Sequence, residues 1–219
     1  MHRDQLVEHY PTLFHMASSG SWPTIQTHGL WTTQQIVATS AGAFEEAALA
    51  ERRPHSITAE HPTLGRVTIR DQAPLRLQFL ERSLTDMSVM QWLEALNNRV
   101  FFWLHPDKLD KLLGARLYRS SEQDVVVIDT KSLLDAHEAR VRLSPVNSGA
   151  TLYPNATARG SHTFTTIEDY PYAERRRTGK TVREAVTELA VIDGVHDIRD
   201  HVIRVERRLG HEVLERYQV

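Results

Sequence analysis

Residues Leu13–Leu30 read LFHMASSGSWPTIQTHGL, and this stretch changes character twice. Leu13, Phe14, His15 and Met16 form an apolar run of strand length. Ser18, Ser19 and Gly20 break it, and Trp22, Ile25, Gly29 and Leu30 then recur at helical spacing. Ser21 ahead of Trp22-Pro23 suits an N-cap with proline in the first turn, and Gly29 suits a C-cap. The segment reads as strand, turn, short helix, stop.

Working outward, Asp4–Tyr10 is a helix closed by Pro11, and Thr33–Ala50 is an Ala-rich helical stretch interrupted near Ser40-Ala41-Gly42. Two β-type runs around His61–Gly65 predict a hairpin. Leu75–Leu84 and Ser88–Asn97 read as helices. Arg99–Leu104 (RVFFWL) is a buried-strand pattern, after which His105-Pro106 opens a helix over Asp107–Leu113 that Gly114 ends. DVVVID (Asp124–Asp129) is a wholly apolar strand, Ser132–Ala139 a helix and Arg140–Leu143 a short strand. Ser144–Tyr172 has little periodicity, and loops of that length inside compact domains are usually functional or disordered. Ala185–Val191 alternates as a strand, Val195–Asp200 is a turn, and His201–Leu209 is a final strand or helix. Strands and helices mix without regular βαβ alternation, so the expected class is α+β, in a single domain over residues 1–219.

Composition narrows the function classes. With 41% apolar and 25% charged residues the chain can build an ordinary core, and the absence of cysteine excludes disulfides, thiolate metal sites and a Cys nucleophile. A net charge of −2 gives no global attraction for nucleic acid. The dense basic patch is local: Arg175, Arg176 and Arg177, followed by Lys180 and Arg183. The opening MHRDQLVEHYP lacks an apolar core, and no stretch approaches the ~20 apolar residues of a membrane span, so the expectation is a cytoplasmic protein off the membrane. Among twelve histidines, the pairs His55/His61 and His196/His201 do not share one helix face, so no metal is expected. Dinucleotide, P-loop, zincin and hydrolase-elbow signatures are missing.

Three separated segments remain: LFHMASSGSWPTIQTHGL with His15, RVFFWLHPDKLDKLL, and AVTELAVIDGVHDI with Glu188. Read alone, Glu188 fits an exposed strand residue or an ion-pair partner of Arg183 or Arg204. In this order and spacing the three resemble the NAD-dependent ADP-ribosyltransferases, especially the DarT-type toxins that modify DNA bases. The resemblance implies an ADP-ribosyltransferase-like fold, with a central split mixed sheet surrounded by helices, and NAD as co-substrate. It implies that Glu188 holds the 2′-hydroxyl of the nicotinamide ribose, stabilises the cation formed as nicotinamide leaves, and assists proton removal from the acceptor. His15 and the turn from Ala17 to Gly20 would hold the cofactor, an imidazole offering one donor and one acceptor. One ring among Phe101, Phe102 and Trp103 would pack on nicotinamide; the family commonly has tyrosine there, and alternation puts Phe101 and Trp103 on one face with Phe102 on the other. Of Arg52 and Arg53, near the family's arginine that faces the pyrophosphate or the base, Arg53 is chosen as a catalytic residue. Asn147 in SPVNSGA and the basic Arg175 and Arg176 would meet a nucleic-acid substrate, with the long loop as a clamp. A toxin of this class would have a neutralising antitoxin. The alternatives are an RNA 2′-phosphotransferase or NAD glycohydrolase built on a related pocket, or a catalytically silent nucleotide-binding or interaction module.

Overall fold

A computed structural model describes residues 1–218. In chain order the elements are α1 (Arg3–His9), β1 (Thr12–Ser18), α2 (Trp22–His28), α3 (Thr33–Ala38), α4 (Ala47–Ala50), β2 (Ile57–His61), β3 (Gly65–Ile69), α5 (Leu77–Ser83), α6 (Val89–Asn97), β4 (Arg99–Trp103), α7 (Pro106–Leu113), β5 (Glu122–Asp129), α8 (Thr130–His137), β6 (Val141–Ser144), α9 (Tyr172–Arg177), α10 (Val182–Ala185), β7 (Glu188–Ile192), β8 (Val202–Leu209) and β9 (Glu212–Tyr217). The class is α+β.

Seven strands form one sheet in the order β6-β7-β4-β1-β5-β8-β9, and β2-β3 form a separate hairpin. Every pairing is antiparallel, so the expectation of a mixed sheet is corrected. Antiparallel neighbours need no crossover over a sheet face, and β8 returns directly into β9 through the two-residue turn at Gly210 and His211. β1 runs in register with β5 from Thr12↔Asp129 to Ser18↔Gln123, whereas β1 and β4 meet only at Phe14↔Trp103.

The apolar run of β5 is explained by burial on both faces. Val126 and Ile128 enter the main core with Leu13, Phe102 and Leu189, while Val125 and Val127 pack with Phe14, Met16 and the α7 residues Leu109 and Leu113. A third cluster gathers Trp92, Leu93 and Leu96 of α6 with Leu75 and Leu80. Ile69 of the hairpin packs on Val37, Phe44 and Ala48.

Several boundaries move. The strand expected from Ala185 begins at Glu188, because Thr181 and Glu184 form a capping box that folds residues 182–185 into α10 and buries Ala185. The stretch Thr33–Ala50 resolves into α3, started by a Thr32–Gln35 capping box, and the short α4. Of the two alternatives for the C-terminal element, β8 is a strand, and it pairs with the unexpected β9. The long loop after β6 is pinned by bridges Leu84↔Arg159 and Leu143↔Thr165. Among the described residues no helix is long and apolar enough to cross a membrane.

Candidate functional site

The short pairing of β1 with β4 is where a side chain takes over from the backbone ladder. Beyond Phe14↔Trp103 the strands diverge, and His15 Nδ1 donates instead to the carbonyl of Phe101 at 2.9 Å. The ring packs at a tilt on Phe102, with centroids 5.7 Å apart. Desolvation lowers the imidazole to about 4, outweighing the bond to Phe101, so it is neutral at physiological pH. With the proton on Nδ1, Nε2 presents a lone pair.

A cleft of about 360 Å³ opens from this wedge and takes in both His15 and Glu188. Its size falls within the range of small-molecule sites. Glu188 opens β7, in register with Trp103 on one side and Ser144 on the other. Its side chain is only 4% exposed. Oε2 accepts the Ser148 N–H at 3.0 Å and the Ser148 hydroxyl at 2.7 Å, while Oε1 accepts no hydrogen bond among the described residues. Burial raises the carboxyl to about 7; the two Ser148 donors and the charges of Arg159 and Lys108 oppose the shift without cancelling it. A buried carboxylate in this state is costly, and such groups in clefts mark functional sites.

Ser148 is held from behind. Arg159, 2% exposed, donates from Nη1 to the carbonyls of Ser148 (3.3 Å) and Ala150 (3.1 Å), and its guanidinium lies 5.7 Å over the Trp92 ring. On the hairpin side, Arg70 Nη1 donates to the Met16 carbonyl at 3.2 Å and its guanidinium stacks 4.8 Å over Tyr118, whose hydroxyl donates to Asp71. The last wall is the end of α2. Gly29 has φ +83°, and a Cβ there would lie 2.3 Å from the His196 backbone, so only glycine lets the segment after β7 close against Leu30.

The structure brings together His15, Ala17, Phe101, Phe102, Trp103, Asn147, Arg53 and Glu188 around this cleft. Gly20, Arg175 and Arg176 do not line it. Gly20 makes the turn into α2 at φ +82°. Arg175 donates to the carbonyls of Ala185 (2.6 Å) and Pro145 (3.2 Å), and Arg176 to that of Lys180 (2.6 Å), so both brace backbone. Arg53 is 6% exposed and tied to the carbonyls of Arg70 and Ala48 and to Asn97 Oδ1, with burial lowering it to about 10. Arg52 likewise donates to Gln72 and Ala73 carbonyls.

The aromatic strand alternates as expected: Phe102 enters the main core, while Phe101 packs near Phe164 and Trp103 near the Phe14 and Met16 cluster. Trp103, half-buried and opposite Glu188, is the ring nearest the carboxylate in register. Glu188 is neither exposed nor paired with Arg183 or Arg204, whose carboxylate partners are Asp107 (3.1 Å) and Glu206 (3.2 Å). Ser148, Arg159, Arg70 and Tyr118 escaped sequence reasoning. Ser148 directly follows Asn147 in the loop already singled out, which was the one available signal; the other three carry none.

Residues 11–202 match the family model described as Family of unknown function (DUF7002). No curated protein and no solved structure matches the chain.

Proposed function

The chain belongs to the family of unknown function DUF7002, and for its cleft we propose NAD-dependent ADP-ribosyl transfer on an ADP-ribosyltransferase-like fold. The observation that carries the reading is that His15 and Glu188, 173 residues apart, flank one cleft where β1 and β4 part. NAD supplies a ribosyl C1′–N bond whose leaving group departs as neutral nicotinamide. The residues present fit such a ligand: Glu188 Oε1 has an unfilled acceptor position, and His15 Nε2 is a fixed neutral acceptor for an amide N–H or a ribose hydroxyl.

Glu188 accepts the ribose 2′-hydroxyl through Oε1 while Ser148 anchors Oε2. As positive charge develops on the ribose, attraction to the carboxylate grows, and this differential stabilisation lowers the barrier. Above its midpoint near 7 the carboxylate is charged, and it can take the proton that the acceptor sheds on attacking C1′. Trp103 or Phe101 offers the face on which a planar ring packs, worth about 1 kcal/mol beyond burial. The acceptor in this proposal is a nucleobase. Its support is the cluster of Lys108, Lys111 and Lys180, partly offset by Glu184, of which Lys108 also acts electrostatically on Glu188.

The test is incubation with NAD and chromatography for free nicotinamide, with DNA, RNA or cell lysate as acceptor. The wild type should release nicotinamide, and Glu188→Gln should be slower by about 100-fold or more. NAD left intact by the wild type with every acceptor rejects the transferase.

A further inference from the structure

Away from the cleft, α8 ends at His137, and the 3-10 turn Ile198–His201 packs against it. Asp197 precedes that turn, four residues before His201. One potential ligand atom from each of His137, Asp197 and His201 lies within 4.8 Å of the others. His137 Nε2 is 2.7 Å from Asp197 Oδ1, and His201 Nε2 is 3.6 Å from Asp197 Oδ2, too long for a hydrogen bond. The two rings are perpendicular, 5.4 Å between centroids.

His201 supplies the independent observation. It is 6% exposed, its Nδ1 is 2.7 Å from Ser132 Oγ, and its Nε2 has no hydrogen-bond partner among the described residues. The Ser132–His201 bond can run in either direction; where Nδ1–H donates to Ser132, Nε2 turns a lone pair toward the carboxylate, which is the tautomer a cation between them would select. Metal-ligating histidines have this same outer arrangement, the second nitrogen fixed by a neighbouring acceptor. Four-coordinate zinc at 2.0–2.1 Å sets its ligands about 3.3 Å apart, so three atoms within 4.8 Å of one another reach that spacing by a modest inward turn of the side chains.

We propose that His137, Asp197 and His201 bind one divalent transition ion of the zinc class, with water completing the shell on the side that Asp197 leaves open. In the ion-free state Arg140 donates to His137 Nδ1 at 2.7 Å, so Nε2 carries a proton that Asp197 accepts. The ion displaces that proton to solvent. Arg140, anchored on the carbonyls of Ile192 and Gly194, also places a positive charge beside the ion, so binding is weaker than at a closed structural zinc centre. The bound ion staples the segment carrying Val195 and His196, which closes on Leu30 and Gly29 at the cleft wall, to the end of α8.

The full chain, stripped with a chelator, is titrated with Zn²⁺ by calorimetry and with Co²⁺ by visible absorption. The expected results are one equivalent bound, a raised Tm, and the intense visible bands of four-coordinate cobalt. Ser132→Ala, which keeps all three ligands, should weaken binding roughly 10–100-fold. Asp197→Asn, at a half-exposed position, should weaken it at least as much and keep a cooperative thermal transition. Absence of saturable binding of either ion to the wild type overturns the site, as does undiminished binding by Asp197→Asn.

Discussion

Replacing Glu188 by glutamine should remove activity and, at alkaline pH, make the protein more stable. Burial raises this carboxyl from 4.5 to about 7. A folded-state midpoint above the unfolded one means that the group's favourable contribution is complete below about 4.5 and is lost as pH rises through about 7. A gap of that size, from 4.5 to about 7, corresponds to about 3 kcal/mol withheld from the native state once the carboxylate is ionised. Glutamine has the same shape and no charge, and its Oε1 can accept both Ser148 donors, though more weakly than a carboxylate does. The net gain over wild type should therefore be about 2 kcal/mol at pH 8.5, or roughly 4–8 °C in Tm for a domain of this size, and under about 1 kcal/mol at pH 5. Urea unfolding followed by circular dichroism at the two pH values measures both gaps. A variant no more stable than wild type at pH 8.5, or a gap equal at both pH values, would refute the reasoning, because a carboxylate that titrates normally costs the fold nothing.

Two further changes probe the other walls of the cleft. His15, depressed to about 4, should stay neutral as pH falls from 6.5, so its ring resonances should titrate near pH 4; a midpoint at or above 6.5 removes it as a fixed neutral acceptor. By the same shift, its contribution to stability is present above 6.5 and lost as pH falls through about 4. His15→Ala should weaken NAD binding at least tenfold, by calorimetry, and keep a cooperative thermal transition; loss of that transition would make the residue structural. Gly29→Ala should cost about 2–4 kcal/mol in urea unfolding, because it adds both a clash with His196 and a strained positive φ; a cost under about 1 kcal/mol would show that the wall gives way.

What the sequence reveals of this fold follows burial. RVFFW and DVVVI are legible as strands because they are packed on both faces, and their apolar runs leave no other reading. β9 is not legible: Glu212–Tyr217 lies at the sheet edge with four of its six residues exposed, so its pattern barely departs from a polar loop. The start of β7 is not legible because the alternation of Ala185 and Val186 competes with a local capping box, and the cap wins. Within the site, His15 and Glu188 stand out as polar residues in strands that are otherwise apolar. Arg159 and Arg70 do not stand out. Each is one arginine among many, and only the tertiary fold puts one behind Ser148 and the other over Tyr118. Arg53 shows the converse, since a cation suited by sequence to an anionic ligand is held by carbonyls in its own wall.

The central claim is that His15 and Glu188 hold one nucleotide between them. A crystal structure of Glu188→Gln with NAD tests it most directly, since the variant should keep the fold and leave the ligand uncleaved. The expected result is nicotinamide in the wedge between β1 and β4, a polar atom of the ligand on His15 Nε2, and the ribose 2′-hydroxyl on residue 188. NAD bound elsewhere, or no NAD at saturating concentration, would contradict it.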